Sequence, residues 1–163
     1  MNRTVTYRIQ HAGLAIGKHD FRFDLESGFF SSLDERFSCA TLVSDMVMEK
    51  QDRLLILNFH IHGTLELVCD RCGGDVTHTV DSHYELFVKY GNSFVEESED
   101  VIIVPEDSGE LDIDQYLYDF ASLSIPTFCV HPDDENGEST CDPAVVSLIS
   151  NIGTEEFTNI ENN

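Results

Sequence analysis

Residues 53–69 read RLLILNFHIHGTLELVC. Leu55, Leu57, Phe59 and Ile61 alternate with Ile56, Asn58, His60 and His62, the two-residue period of a strand with one buried face. Gly63 interrupts the run, as a break or bulge, before Leu65 and Leu67 lead to Cys69. Upstream, CATLVSDMVMEK (39–50) is a second long strand, joined through the polar turn at Gln51 and Asp52. Downstream, DVTHTVDSHYELFVKY (75–90) alternates again, with Val76, Thr77, Val80, Tyr84, Leu86 and Val88 as sheet formers. Three long strands in succession predict an antiparallel meander.

The meander organises the rest. RTVTYRI (3–9) predicts a first strand, and DFRFDL (20–25) another with Phe21, Phe23 and Leu25 on one face. SLDE (32–35) has capping-box spacing and predicts either a short helix or a polar turn. Residues 91–110 form an acidic linker interrupted by one short strand, VIIV. LDIDQYLYDFASLSIP (111–126) has helical spacing, with a stripe of Tyr116, Leu117, Phe120, Leu123 and Ser124, acids Asp112 and Asp114 in the first turn, and Pro126 as the stop. HPDDENGEST (131–140) reads as a mobile loop, and Pro143 opens a short helix, PAVVSLISNI. The expected fold is α+β: a mainly antiparallel, barrel-like β meander with a few short helices. The expected organisation is one domain overall. A β-region spans 1–90, an acidic linker 91–110, a helical segment with a His/Cys loop packed on the sheet 111–152, and a flexible tail 153–163.

A chain of 163 residues can bury a hydrophobic core without disulfide help. Its start has no apolar signal-peptide core, and no apolar run approaches the ~20 residues of a membrane span, so a soluble, cytoplasmic protein is expected. Nine Lys and Arg face 31 Asp and Glu, a net charge of −22. Residues 90–163 hold no Lys or Arg and 18 acids, so −18 of the −22 lies there. Such a field repels phosphate backbones and suits a basic protein partner. Direct RNA binding would be left to the N-terminal part near Arg3, Arg8, Lys18 and Arg22.

Cys69 and Cys72 form one Cys-x-x-Cys, followed by Gly73 and Gly74, which would supply positive φ at a hairpin turn. A structural zinc ion wants four protein ligands, and no second Cys-x-x-Cys exists in the chain. Cys129, His131, Cys141 and His78 could complete a site; His78 falls at a solvent-facing strand position, and Cys39 reads as a buried small hydrophobe. Zinc, a reduced metal-free turn and a redox pair are the three readings of the knuckle. Strand formers after it argue against a thioredoxin-type motif, which needs a helix start there. A calcium loop with Gly137 at its sixth position would put Pro132 and Pro143 at ligand positions, and fails. No acid–His cluster or placed nucleophile of defined spacing points to an enzyme, so a metal-dependent nuclease is the weakest class.

LELVCDRCGGDV, followed at a distance by GELDIDQYLYDFASLSIPTFCVHPDDENGESTC, resembles the YceD family of bacterial and plastid proteins. Cys69, Arg71 and Cys72 match its Cys-x-Arg-Cys; Asp112 and Ile113 its helix start; Pro126 and His131 its next motif; Cys141 its last. The resemblance covers about residues 60–145, and the PDDENGEST loop departs from the pattern. It implies His131 and Cys141 as partners of Cys69 and Cys72 at a structural Zn2+, with Cys129 as the alternative ligand. It further implies a non-enzymatic role in accumulation of large-subunit ribosomal RNA. A basic ribosomal protein or an assembly intermediate would be the partner, since the family's gene often neighbours that of a small basic zinc-ribbon ribosomal protein.

Overall fold

The computed structural model describes residues 6–25, 27–28 and 39–155. The 32–35 helix or turn, Arg3 and the tail beyond residue 155 lie outside those residues. Among the described residues, eight strands accompany two helices of ten or more residues: β1 Arg8–Gln10, β2 Gly17–Leu25, β3 Ala40–Lys50, β4 Leu54–Val68, β5 Asp75–Gly91, β6 Val95–Ser98, β7 Val101–Pro105, β8 Glu110–Asp112, α1 Asp114–Leu123 and α2 Pro143–Glu155. The main sheet has six strands in the order β2-β3-β4-β5-β7-β6. It is open, with β2 and β6 at its edges. β1 and β8 form a separate two-stranded sheet.

The meander is present as its alternation requires. β2 runs antiparallel to β3 and β3 to β4, with Leu25 opposite Leu42, Met46 opposite Phe59 and Met48 opposite Leu57. Leu42, Met46 and Met48, Leu55, Leu57, Phe59 and Ile61, and Val80, Leu86 and Val88 are all buried. Each such side chain contributes about 1.5–3 kcal/mol by leaving water. α1 supplies Leu117, Phe120 and Ala121 to this core. The Phe120 ring lies 5.2 Å from that of Phe59 and stacks 4.5 Å from that of Tyr84.

Several boundaries differ from the sequence reading. The acidic 91–110 stretch carries two strands of the main sheet: β7 pairs parallel with β5, Val88 opposite Ile102, and β6 pairs antiparallel with β7. Leu111 belongs to a strand rather than to a helix, because it pairs with Ile9 in β1 and both are buried there. The helix starts at Asp114, whose N–H donates to Asp112 Oδ1 at 3.0 Å and whose carboxylate accepts the Tyr7 N–H. Leu123, assigned to the apolar stripe, is exposed. Cys39 is exposed too. It precedes the first paired residue of β3 and shares the outward parity of Thr41 and Val43, which defeats a reading based on apolar neighbours alone.

Gly63 sits inside β4 opposite Leu42 with φ 140°. A Cβ there would fall inside the van der Waals envelope of the Thr41 carbonyl oxygen, so strand approach, as well as φ, demands glycine.

Two compact units are distinguished by their internal contacts: Met1–Leu65 with Thr79–Ile125, and Glu66–His78 with Pro126–Asn163. The first holds the core described above. The second holds the knuckle and the His/Cys loop. Among the described residues no helix is long and apolar enough to cross a membrane.

Candidate metal centre

The knuckle is a tight turn built by its own backbone. Cys69 N–H donates to Gly74 O at 2.8 Å, and Gly73 N–H donates back to Cys69 O at 2.9 Å. Gly73 takes the positive φ, 73°, that closes the turn. Gly74 does not, and a Cβ there would make only ordinary contacts, 3.5 Å from both Cys72 Sγ and His131 Cε1.

The 131–140 loop is a hydrogen-bonded hairpin. Asp134 Oδ1 accepts the N–H groups of Asn136 and Glu138, both at 2.8 Å, and Gly137 turns the chain at φ 79°. Asp134 N–H donates to Glu138 O, Asp133 bridges to Ser139, and Thr140 Oγ1 donates to Pro132 O at 2.6 Å. This folding-back brings His131 and Cys141, ten residues apart in sequence, to one place. Asp142 then caps α2, its carboxylate accepting the Ala144 N–H at 2.9 Å.

Two clamps dock this loop against the knuckle within the same unit. Asp70 N–H donates to Cys129 O at 2.7 Å, and Cys129 N–H donates to Asp70 Oδ2 at 2.6 Å. Arg71 Nη1 donates to Ser139 Oγ at 2.9 Å, and that hydroxyl accepts the Cys141 N–H at 3.2 Å.

Cys69, Cys72, His131 and Cys141 converge, every ligand atom within 4.8 Å of the others. Cys69 Sγ lies 3.7 Å from Cys141 Sγ, and His131 Nδ1 lies 3.4 Å from Cys72 Sγ and 3.6 Å from Cys141 Sγ. A tetrahedral zinc ion, with bonds of about 2.3 Å to sulfur and 2.0–2.1 Å to nitrogen, sets its ligands about 3.8 Å (S···S) and about 3.6 Å (S···N) apart. A disulfide would need about 2.05 Å. The four residues are therefore close enough to hold a metal ion and are compatible with zinc.

Two of the thiols are shifted in the direction ligation needs. Burial pushes the Cys69 thiol up, but N–H groups of Cys72, Arg71 and His131 donate to its sulfur and outweigh burial, taking the pKa down to about 5. The Ser139 hydroxyl holds the Cys141 thiol below its ordinary value, against the opposing effect of burial. His131 Nε2 lies 2.8 Å from Asp75 O, which can only accept, so Nε2 carries a proton; the Cys141 sulfur and that carbonyl raise the ring's pKa, so a metal ion would take Nδ1 in competition with its proton.

The remaining sequence candidates fall elsewhere. Cys129 contributes its backbone to the clamp, but its sulfur is outside the four-residue cluster. Burial raises its thiol, the reverse of what a ligand needs. His78 lies at the inward parity of Val76 and Val80 and is half-buried rather than solvent-facing; it too is outside the cluster.

The family model described as Large ribosomal RNA subunit accumulation protein YceD matches residues 57–159, well over half of the chain. The chain belongs to the YceD family. All four clustered residues and the Arg71 clamp lie inside the match of the YceD model. No curated protein and no solved structure matches the chain.

The sequence reading did not single out a second group, on the first unit. Asp45, His60 and His62 lie together, as do His60, Asp81 and His83. The signal was the i, i+2 spacing of His60 and His62 on the polar face of β4; what it lacked was the register that brings Asp45 and His83 alongside.

Proposed function

We propose that this YceD-family chain is a non-enzymatic ribosome-biogenesis factor, cytoplasmic, that supports accumulation of large-subunit ribosomal RNA by binding a basic ribosomal protein or assembly intermediate. Zn2+ held by Cys69, Cys72, His131 and Cys141 staples the fold. The observation that carries the reading is the charge partition: residues 90–163 hold 18 acids and no Lys or Arg. A field of that sign attracts cationic partners and speeds their encounter.

The donor set supports a structural rather than a catalytic ion. Three thiolates and one imidazole occupy all four tetrahedral positions, leaving none for water or substrate. Cys69 and Cys141 are buried. Bound zinc would join the knuckle to a segment 59 residues later, as Cys72 and His131 are separated. The chain's own residues prepare the site: Asp75 fixes the His131 ring, the knuckle amides lower the Cys69 thiol, and Ser139 lowers that of Cys141.

The alternative, direct RNA binding through the N-terminal basic residues, has less support. Arg8 is engaged by Glu110 at 2.9 Å and Asp112 at 3.4 Å, and Arg22 by Asp45 at 3.1 Å. Guanidiniums already matched to carboxylates offer phosphates less charge. A pull-down of ribosomal proteins and assembly intermediates from lysate at low salt tests the proposal. Capture of a basic ribosomal protein, lost as salt rises and retained when Arg8, Lys18 and Arg22 are changed to Glu, supports it. Recovery of RNA alone, abolished by those substitutions, overturns it in favour of the RNA-binding module.

A further inference from the structure

Outside the knuckle, the residues with most metal-binding chemistry lie on the solvent face of the main sheet. Asp45 on β3 stands directly opposite His60 on β4, and His62 follows on the same face two residues on. His62 Nε2 lies 2.8 Å from Asp45 Oδ2, and His60 Nε2 lies 2.7 Å from Asp81 Oδ1 on β5. The His60 ring sits 4.7 Å from that of His62 and stacks at 4.3 Å on that of His83. Three of the chain's seven histidines thus occupy one small patch.

Hydrogen bonding alone does not require this density: one histidine per aspartate would satisfy either carboxylate. An imidazole is the commonest side-chain nitrogen ligand for metal ions. In a chain of net charge −22 the surrounding field concentrates cations at such a face. Two imidazoles and a carboxylate suit ions of the borderline class, Zn2+, Ni2+ and Cu2+.

We propose that Asp45, His60 and His62 form a second metal site, taking one divalent ion of this class. Their ligand atoms lie within 4.8 Å of one another, and all three side chains are only partly exposed, so small torsional adjustments complete the site. Adjacent strands hold the ligands in register, which lowers the ordering entropy that binding must overcome. Asp81 steadies the His60 ring in the way carboxylates orient metal-bound histidines. Arg22 Nη1 donates to Asp45 Oδ1 at 3.1 Å and, more weakly, to Oδ2 at 3.5 Å, which fixes that carboxylate; a metal ion on Oδ2 would displace the longer contact. His83 shares the second triad with His60 and Asp81 but is the more exposed and stands outside the site.

The test is calorimetric titration with Ni2+ at pH 7.5 of the untagged chain carrying one equivalent of zinc and freed of excess metal, so that the thiolates are already occupied and the sheet face is open. One further saturable equivalent is expected, weakened at least tenfold in His60→Gln and in His62→Gln and less than threefold in His83→Gln. Absence of saturable binding, equal affinity in His60→Gln, or dependence on His83 instead of His62 would overturn the assignment. A second readout needs no variant: substoichiometric Ni2+ should broaden the ring resonances of His60 and His62 before those of His19 and His78. Uniform broadening of all four refutes the site.

Discussion

Removing metal from the knuckle should release the chain closure it imposes, and the size of that release follows from the loop. Cys72 and His131 are 59 residues apart. In the chain-entropy description of a crosslink, closing a loop of that length is worth about 4 kcal/mol, as an upper figure. The two compact units make a single global transition a poor assay, so the release is read locally by hydrogen exchange. The reporters are the Cys69, Asp70 and Gly73 amides, hydrogen-bonded to Gly74, Cys129 and Cys69 carbonyls respectively. Chelation of the metal, or His131→Ala, should accelerate their exchange by up to about three orders of magnitude, the equivalent of ~4 kcal/mol. The Phe59 and Ile61 amides in the sheet core should hardly change. Cys129→Ser is the control, because its sulfur lies outside the cluster, and it should leave the three reporters within a few-fold of wild type. Reporter amides indifferent to chelation would refute the reasoning, since a bound ion would then be closing nothing.

Two further outcomes follow from the fold. Gly63→Ala should lower stability by several kcal/mol, or prevent folding, because its Cβ meets the Thr41 carbonyl at a φ of 140°; denaturant midpoints would show it, and a shift below ~1 kcal/mol would contradict the packing. His11 gives a pH signature. Burial pushes its pKa below the ordinary 6.5, and Lys50 adds to the effect. The folded state therefore wants the ring neutral while the unfolded chain protonates near 6.5. Its stabilising share is complete above that pH and lost as pH falls toward the depressed folded value, with a slope of at most about 1.4 kcal/mol per unit. Urea titrations of wild type and His11→Phe at pH 7.5 and 5.5 should show the smaller pH loss in the variant; equal losses would remove His11 from the account.

How much of this was legible depended on the range of the interaction. The β2–β5 meander was readable because a two-residue period encodes which face is buried, and Leu55, Leu57, Phe59 and Ile61 keep strict time. The α2 start was readable because Pro143 acts locally, as does the Asp142 cap beside it. Failures came where distant partners decide. Leu111 looks helical until Ile9 pairs with it across some hundred residues, and the acid-rich Val95–Ser98 becomes a strand only because β7 offers an edge. Cys39 was misjudged by one position of strand parity. The knuckle was recognisable alone, but its complement had to come from family resemblance, because nothing in the PDDENGEST composition announces that Asp134 folds the loop back on itself. The His60 patch needed the pairing of three strands and was invisible without it.

A metal ion at Cys69, Cys72, His131 and Cys141 is tested most directly by elemental analysis of the natively purified chain beside its Cys72→Ser variant. One equivalent of zinc per chain, lost on substitution, is the predicted result. No zinc in either protein, or the same content in both, would contradict it.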